Sequence, residues 1–322
     1  MNALYTILPY LDNGIIKLKK ERGTIMKVCN FGSLNFDKVY AMEHFVEPKE
    51  TISSIGYMEN FGGKGLNQSI ALAKAGEEVY HAGKVGKDGQ PFIDYLEKYG
   101  VHTDYLKKDD NTVTGHAIIQ TCKGENCIIL FGGANQEIDE KLADEVLSHF
   151  EKGDVLLLQN EISSMAYIMK KAHETGMKIV FNTAPMDAKV FTYPLELVDL
   201  FIVNEVEGRG LAKVDSKCYE DIIAGLQKAY PDTEIVLTCG GDGSYYIHGN
   251  EVVHQEAFMV DAVDTTAAGD TFTGYFLACQ MMEMSVQDSL KVASKASSVT
   301  VQGHGAAQSI PEWKEVAGAL IP

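Results

Sequence analysis

Cysteine is scarce in this chain and is not arranged in pairs. The six cysteines among 322 residues include no Cys-x-x-Cys spacing, which argues against a zinc site and against a disulfide framework. Long apolar runs are also missing, because no stretch approaches the roughly 20 residues that a membrane-spanning helix needs. We therefore expect a protein with reduced thiols that lies in the cytoplasm and does not cross a membrane.

Basic residues are too few to favour binding to a nucleic acid. The chain carries 28 Lys and Arg against 45 Asp and Glu, which gives a formal net charge of −17 at pH 7 and a pI of about 4.9. Binding to a phosphate backbone needs a basic face. An acidic protein that binds a nucleotide must instead use a few local lysines, backbone N–H groups and a metal ion.

The first 25 residues differ from the rest and are predicted to be an N-terminal extension of unknown role. Around Ile15 to Arg22 the charges follow the apolar residues, which is not the order of a secretory signal. The chain is 45% hydrophobic and long enough to bury a large core. Residues 26–322 are therefore predicted to form one enzyme domain, although length alone would also allow two.

Short apolar runs rich in β-branched residues alternate with amphipathic segments along the chain. Buried strands are predicted at 154–159, 178–182, 200–204 and 234–238, and helices between them, for example at 163–175 and 219–230. This alternation predicts an α/β fold with a mainly parallel sheet covered on both faces. Ligands collect at the carboxyl ends of such strands, where the sequence has Glu161, Asn182, Asn204, Glu207, Thr238 and Gly240.

One segment near the C-terminus combines a small-residue loop, a helix start and a carboxylate. Asp264 to Asp270 reads Asp-Thr-Thr-Ala-Ala-Gly-Asp and leads into an apolar helical run. Small residues let a phosphate approach the unpaired N–H groups of a first helical turn. Asp270 is then placed to accept a proton from an attacking hydroxyl, as a kinase base must. For an isolated string, the commoner interpretation is a turn and an N-cap of a buried helix.

A second segment surrounds one lysine with glycine. Gly62, Gly63 and Gly65 flank Lys64 and leave the backbone open to a ligand, and a helical pattern follows. The segment is not a P-loop, because Lys64 is followed by Gly rather than Ser or Thr. On its own it would also suit a helix-entry turn with a solvated lysine.

Together the two segments resemble the signature regions of the ribokinase family of carbohydrate kinases, from about Met26 to Pro311. Weaker matches follow in the family's order at 32–37, 85–89, 114–117, 124–126, 132–135, 159–161, 182–185, 204–207 and 238–243. The resemblance implies a ribokinase-like fold with a central parallel sheet and a small β-sheet lid. The lid would comprise about 37–59 and 113–131, with a turn at 123–126, and in this family it often forms a homodimer interface.

The resemblance also implies where sugar and phosphate bind. Asp270 would be the catalytic base, and the N–H groups of Ala267, Ala268, Gly269 and Asp270 would stabilise the charge on the transferring phosphoryl group. Sugar binding would involve Asn35, Asp37, Gly63, Lys64, Asn67, Glu161 and Asp270. Such a polar set suits a polyol, because each buried hydroxyl left unpaired costs roughly 1–3 kcal/mol.

Nucleotide and metal residues are implied in the same way. Asn204 and Glu207 would hold Mg²⁺ through its waters, while Thr238, Gly240 and Gly243 would line the groove for ATP. A monovalent cation site for K⁺ is implied at Asp264, Thr266, Thr300, Gly303, Gly305 and Ser309.

These residues predict an ATP-dependent kinase for the primary hydroxyl of a pentose, with D-ribose favoured and ribose 5-phosphate as product. Relatives in the family act on fructose, other pentoses or nucleosides, so a different acceptor stays open. A phosphorylated sugar is disfavoured, because Lys64 is the only basic residue in the motifs that would shape the pocket. The alternative from another class is a sugar-binding protein that has kept the fold and lost turnover.

Overall fold

The computed structural model describes residues 26–320; the predicted extension at 1–25 lies outside them. The described strands are β1 Val28–Phe31, β2 Asn35–Ala41, β3 Gly56–Gly62, β4 Val79–Gly86, β5 His102–Asp109, β6 Gly115–Cys122, β7 Glu125–Phe131, β8 Val155–Gln159, β9 Lys178–Asn182, β10 Leu200–Asn204, β11 Glu234–Thr238, β12 Ser244–His248 and β13 Glu251–Gln255. The four strands predicted between 154 and 238 correspond to β8, β9, β10 and β11.

Nine of these strands form one sheet in the order β13-β12-β11-β10-β9-β8-β1-β4-β5. Pairing is parallel from β5 through β4, β1, β8, β9 and β10 to β11. Strands β12 and β13 add an antiparallel edge. The predicted, mainly parallel sheet is therefore present, and the carboxyl ends of its parallel strands lie along one edge.

The α-helices of the described residues are α1 Lys64–Lys74, α2 Gln90–Lys98, α3 Glu140–Leu147, α4 Met165–Thr175, α5 Glu205–Ala212, α6 Tyr219–Ala229, α7 Ala268–Met281, α8 Val286–Thr300 and α9 Trp313–Leu320. Side chains of β8 alternate between two cores: Val155 and Leu157 join one, and Leu156 and Leu158 join the other. The first core includes α1, α2, α7, α8 and α9, and the second includes α3 to α6. Helices thus cover both faces of the sheet, as predicted.

A separate four-stranded sheet has the order β3-β2-β6-β7. Its two central strands, β2 and β6, pair in parallel, and both outer pairs are antiparallel. The predicted turn between β6 and β7 is formed by Lys123 and Gly124, whose φ angles are 51° and 85°. Two extended segments far apart in sequence therefore join in one small sheet beside the main one.

The longest helix is α8, with 15 residues. Within residues 26–320, none of the helices combines the length and apolar character needed to cross a bilayer.

Candidate active site

Three cavities open near the carboxyl ends of the parallel strands, where the sequence predicted a site. The apolar cavity, of about 330 Å³, lies between the loop after β11 and helices α7 and α8. The central cavity, of about 230 Å³, shares Thr238, Ala268 and Gly269 with it. The outer cavity, of about 250 Å³, is lined by Asn35 and Leu130 of the small sheet and by loop residues such as Glu161, which follows β8.

The start of α7 forms one wall of the central cavity. Ala267 precedes the helix with φ 62° and ψ 7°, a left-handed conformation that is uncommon for alanine. Among the described residues no acceptor bonds the N–H groups of Ala267, Gly269 and Asp270, whereas the Ala268 N–H bonds Thr265 O at 3.3 Å. The open donors and the positive end of the helix dipole make this wall suitable for an anion.

Asp270 is buried in the first turn of α7, with 8% of its surface exposed. The Asn67 side-chain amide donates to Asp270 Oδ2 at 3.0 Å, and the Gln68 amide donates to Asp270 Oδ1 at 2.8 Å. Both donors lie on α1, so the Gly-Gly-Lys-Gly segment and the Asp264–Asp270 segment meet at this carboxylate. The sequence reasoning did not predict Gln68, for which the only signal was its position beside Asn67.

Lys64 lies at the start of α1 among several carboxylates. Burial lowers the pKa of Lys64, but Asp270, Glu161 and Glu207 raise it by more, so that the net pKa lies above its ordinary value. Burial raises the pKa of Glu161, which Lys64 and neighbouring hydrogen bonds only partly counteract. The ammonium group is therefore held in its charged form by the acidic groups around it.

The Glu161 carboxylate is fixed by the loop that follows β1 and by the start of α1. Ser33 Oγ donates to Glu161 Oε2, which also accepts the Lys64 backbone N–H at 3.2 Å. This geometry needs glycine at two positions. Gly63 has φ 99°, and a Cβ on Gly65 would lie 2.3 Å from the Ser33 backbone nitrogen. Ser33 lies within the weakly matching segment 32–37, and its contact with Glu161 was not predicted.

Asn35 enters the outer cavity from the first residue of β2. The buried Asn135 amide donates to Asn35 Oδ1 at 2.9 Å and to Leu34 O at 3.2 Å, and Asn135 Oδ1 accepts the Leu34 N–H at 3.1 Å. Since the Asn35 oxygen is already an acceptor, its amide NH₂ is left as the group available to a ligand.

The apolar cavity contains the residues predicted to line a nucleotide groove. Thr238, Gly240 and Gly243 form one side, and α7 contributes Ala268 and Gly269. The lining also includes apolar residues that were not predicted: Phe258, Met259, Val260, Phe272 and Val301. The flat aromatic base of a nucleotide suits such an apolar cavity, and the polar part of the nucleotide would reach the central cavity.

Asn204 and Glu207 form a capping box at the start of α5. Asn204 Oδ1 accepts the Glu207 N–H at 3.0 Å, while the Glu207 carboxylate accepts the Asn204 N–H at 3.0 Å and its side-chain amide at 2.9 Å. Both side chains also line the central cavity. Burial raises the pKa of Glu207, and the Asn204 N–H and Lys64 oppose that effect.

The six residues of the predicted cation site come from two loops that Asp264 ties together. Asp264 Oδ1 accepts the Thr266 N–H at 2.9 Å and the Thr266 hydroxyl, and its Oδ2 accepts the Gly305 N–H at 3.1 Å. Burial raises the pKa of Asp264, but these hydrogen bonds outweigh it and leave the pKa below its ordinary value. Thr300 O accepts the Gly303 N–H, and Ser309 Oγ donates to Gly305 O at 2.7 Å.

Asp37 lies on β2 and faces the other acids. Burial raises its pKa to about 7, with further increases from Glu161 and Asp270. No donor among residues 26–320 bonds its carboxylate. The acid is thus partly buried without a hydrogen-bond donor from the protein, which is costly for folding and useful for a ligand rich in hydroxyl groups.

We expect Asp37→Asn to raise the free energy of unfolding at pH 8 by about 1 to 3 kcal/mol. The folded-state pKa, about 7, exceeds the ordinary value of 3.8. The folded chain therefore binds more protons between those values, and stability falls as pH rises through them. Urea unfolding at pH 8 and pH 5 measures the gain, which should shrink at pH 5. The exposed Asp104→Asn serves as control, and an equal gain for Asp37→Asn at both pH values would contradict the argument.

Comparison with known proteins defines the class to which this site belongs. The family described as pfkB family carbohydrate kinase matches residues 26–313. Because the match extends over most of the chain, the protein belongs to this family and is a carbohydrate kinase.

Similar proteins within that family are ribokinases. A ribokinase of Staphylococcus aureus is 34% identical over 303 residues, which are 90% of this chain and 98% of the relative. The ribokinase of Cryptococcus neoformans in complex with ADP aligns with a TM-score of 0.83 and 33% identity, over 92% of this chain and 100% of that one. The Arabidopsis thaliana ribokinase complexed with ribose and ATP aligns with a TM-score of 0.83 and 28% identity, over 93% of this chain and 100% of that one. The predicted family and fold are confirmed.

Proposed function

We propose that this chain transfers the γ-phosphoryl group of ATP to the primary hydroxyl of D-ribose and releases ribose 5-phosphate and ADP. The observation that carries the proposal is the position of Asp270. Its carboxylate is hydrogen-bonded by Asn67 from the lysine segment and lies at the helix start that offers open N–H donors. The names of the ribokinase relatives and their ADP, ATP and ribose ligands support the choice of substrates.

In the proposed reaction, ATP lies with its base in the apolar cavity and its phosphates in the central cavity. Asp270 accepts the proton of the sugar hydroxyl while that oxygen attacks the γ-phosphorus in line. The bond from the γ-phosphorus to the oxygen shared with the β-phosphate breaks, and ADP leaves. The N–H groups of Ala267, Gly269 and Asp270 stabilise the charge that develops, and Ala268 joins them if its bond to Thr265 opens.

The sugar is proposed to lie between the outer and central cavities. Asn35 offers amide hydrogens, Asp37 and Glu161 offer carboxylate oxygens, and Lys64 offers an ammonium group. Gly63 leaves backbone exposed beside them. These groups suit a small polyol, because they pair hydroxyl groups as both donors and acceptors.

Magnesium is the proposed companion of ATP, and Asn204 and Glu207 are the residues that would hold it. Residues 26–320 contain no group of three or more His, Cys, Asp or Glu able to hold a metal ion together. The Glu207 oxygens are also engaged in the capping box, so water and phosphate oxygens would supply most ligands, as Mg²⁺ prefers. When bound, the ion would neutralise phosphate charge. Kinase assays with and without excess EDTA test the requirement.

We also propose a K⁺ site at the loops joined by Asp264. The oxygen atoms of this region suit a large monovalent cation, and the region adjoins the residues that lead into α7. At fixed ionic strength, kcat in K⁺ is expected to be at least ~5-fold higher than in choline. This factor is the lower end of the effects that binding at one site commonly has on another. Asp264→Asn should lose that response and the rise in melting temperature with K⁺. Equal kcat in K⁺ and choline would contradict the site.

The small sheet is proposed to act as a lid and as the interface of a homodimer. Leu130 of β7 lines the outer cavity, whereas Ile129 and Phe131, on the other face by strand alternation, are 64% and 51% exposed. Exposed apolar residues in a row favour burial against a second copy. Sedimentation equilibrium measures the oligomeric state, and a monomer at micromolar concentration would contradict this part of the proposal.

ADP release with MgATP and K⁺ tests the reaction on ribose, other pentoses, fructose and ribonucleosides. Preference for ribose is the expected result. Turnover of another acceptor would keep the mechanism and replace the substrate, and ribose binding without ADP release would favour a non-catalytic sugar-binding protein. The six free cysteines suit a reducing compartment, and we assign the reaction to the cytoplasm, which fractionation of the source cells can check.

A further inference from the structure

A chain of buried hydrogen bonds runs from Asp270 into the centre of the large sheet. The Gln68 amide donates to Asp270 Oδ1 at 2.8 Å. The Gln159 amide, at the end of β8, donates to Gln68 Oε1 at 2.7 Å and to Asn30 Oδ1 at 3.0 Å. Gln68, Gln159 and Asn30 are all 0% exposed. None of these three side chains has a role in the proposed binding of sugar, nucleotide or metal.

The chain continues from Asn30 to a buried histidine. Asn30 Nδ2 donates to Gly65 O and to Ser69 Oγ, each at 2.8 Å. Ser69 Oγ lies 2.9 Å from His81 Nδ1. Burial lowers the pKa of His81 to about 4, although a contact with Gly32 opposes the shift. The imidazole is therefore neutral at working pH, and a hydrogen bond joins its Nδ1 to the Ser69 hydroxyl group.

These contacts leave each amide only one favourable orientation. Turning Gln68 over would place its oxygen against the Asp270 carboxylate and against Asn182 Oδ1, which now lies 3.4 Å from the Gln68 nitrogen. Turning Gln159 over would oppose its oxygen to those of Gln68 and Asn30. Each buried donor or acceptor that loses its partner costs roughly 1–3 kcal/mol. The Gln68 N–H is thus directed at Asp270 by Gln159 of β8 and Asn182 of β9, and Asn30 of β1 orients Gln159 in turn.

We propose that Gln68 is a positioning residue for phosphoryl transfer: oriented by Gln159 and Asn30, it holds the Asp270 carboxyl group in the rotamer that receives the sugar proton. The inference rests on the proposed kinase function. Gln68 holds Asp270 Oδ1, whereas Asn67 holds Asp270 Oδ2.

The electrostatics of the site explain why such a donor is needed. Asp270 interacts with three other carboxylates, Asp37, Glu161 and Glu207, and with a single ammonium, Lys64. Repulsion by these three carboxylates favours other rotamers of the Asp270 side chain, and one lysine opposes that repulsion. A hydrogen bond from a neutral amide holds the side chain in one rotamer. Gln68 supplies that bond without adding a charge or competing for the sugar.

The test is Gln68→Met, which keeps the side chain's length and removes the donor. We expect kcat to fall ~10- to 100-fold, while the sugar KM and the ADP affinity change less than ~3-fold. In an Asp270→Ala background the same substitution should cause little further loss. The control is Gln227→Met, which removes a hydrogen bond to Gly249 O and should leave kcat and the sugar KM unchanged.

Gln159→Met provides a second variant, since it keeps the Gln68 donor and removes the bond that orients it. We expect a smaller fall in kcat with the sugar KM unchanged, and this variant provides the test if Gln68→Met does not fold. A folded Gln68→Met with the wild-type kcat would overturn this inference and leave the proposed function intact. A wild-type chain that releases no ADP with any acceptor would overturn the proposed function, and this inference with it.

Discussion

Asp270→Ala is expected to lower kcat by ~10² to 10⁴ while the protein still folds and binds ADP, because a positioned general base contributes about that factor. Asp270 is the carboxylate to which both signature segments lead, and its two oxygens are held by donors from α1. Steady-state ADP release with ribose and MgATP measures the change. ADP affinity and the melting temperature report whether the rest of the site survives.

Asp270→Asn gives a second measurement in which the shape of the side chain is kept. The amide cannot accept a proton, so its kcat should fall to a similar level. Asp232→Ala, an exposed change in the turn before β11, is the matched control and should retain full turnover. If either Asp270 variant turns over ribose at near wild-type rate, Asp270 is not the base.

The elements of the fold could be predicted because their signals are local. The parallel strands are continuous apolar runs, so β9, β10 and β11 have the predicted bounds and β8 begins one residue later than expected, at Val155. Because these strands are parallel, the residues that follow them lie along the same edge of the sheet. The small sheet was indicated only by extended segments and by the resemblance, and the parallel pairing of β2 with β6 had no signal in the sequence.

Site residues that belong to recognisable motifs could be predicted from the sequence. The residues that hydrogen-bond their side chains could not. Ser33, Asn135 and Gln68 bond the side chains of Glu161, Asn35 and Asp270. Asn30 and Gln159 are 129 positions apart and meet only because β1 pairs with β8. A polar residue within an apolar strand is a weak hint of such a contact, since it must find a partner when buried. The partner itself depends on the tertiary fold.

Lys64→Met is expected to lower kcat/KM for ribose by ~10² to 10³, the size of effect seen when a group that stabilises transition-state charge is removed. Among residues 26–320, Lys64 is the only one with a basic side chain that lines the central cavity. Its pKa is raised by Asp270, Glu161 and Glu207, despite burial, so it is charged throughout the working pH range. Methionine keeps the apolar stem and removes the charge that balances those carboxylates.

The division of the loss between kcat and KM distinguishes two roles for Lys64. If the ammonium only binds the sugar, KM rises and kcat is kept; if it also stabilises the charge that develops on the phosphoryl group, kcat falls as well. We expect both, because Lys64 lines the same cavity as the open N–H donors of α7 and interacts electrostatically with Asp270, the proposed base. Lys178→Met, an exposed change at the start of β9, is the control. A Lys64→Met enzyme with unaltered kcat/KM would show that the carboxylates are balanced by ligand or metal alone.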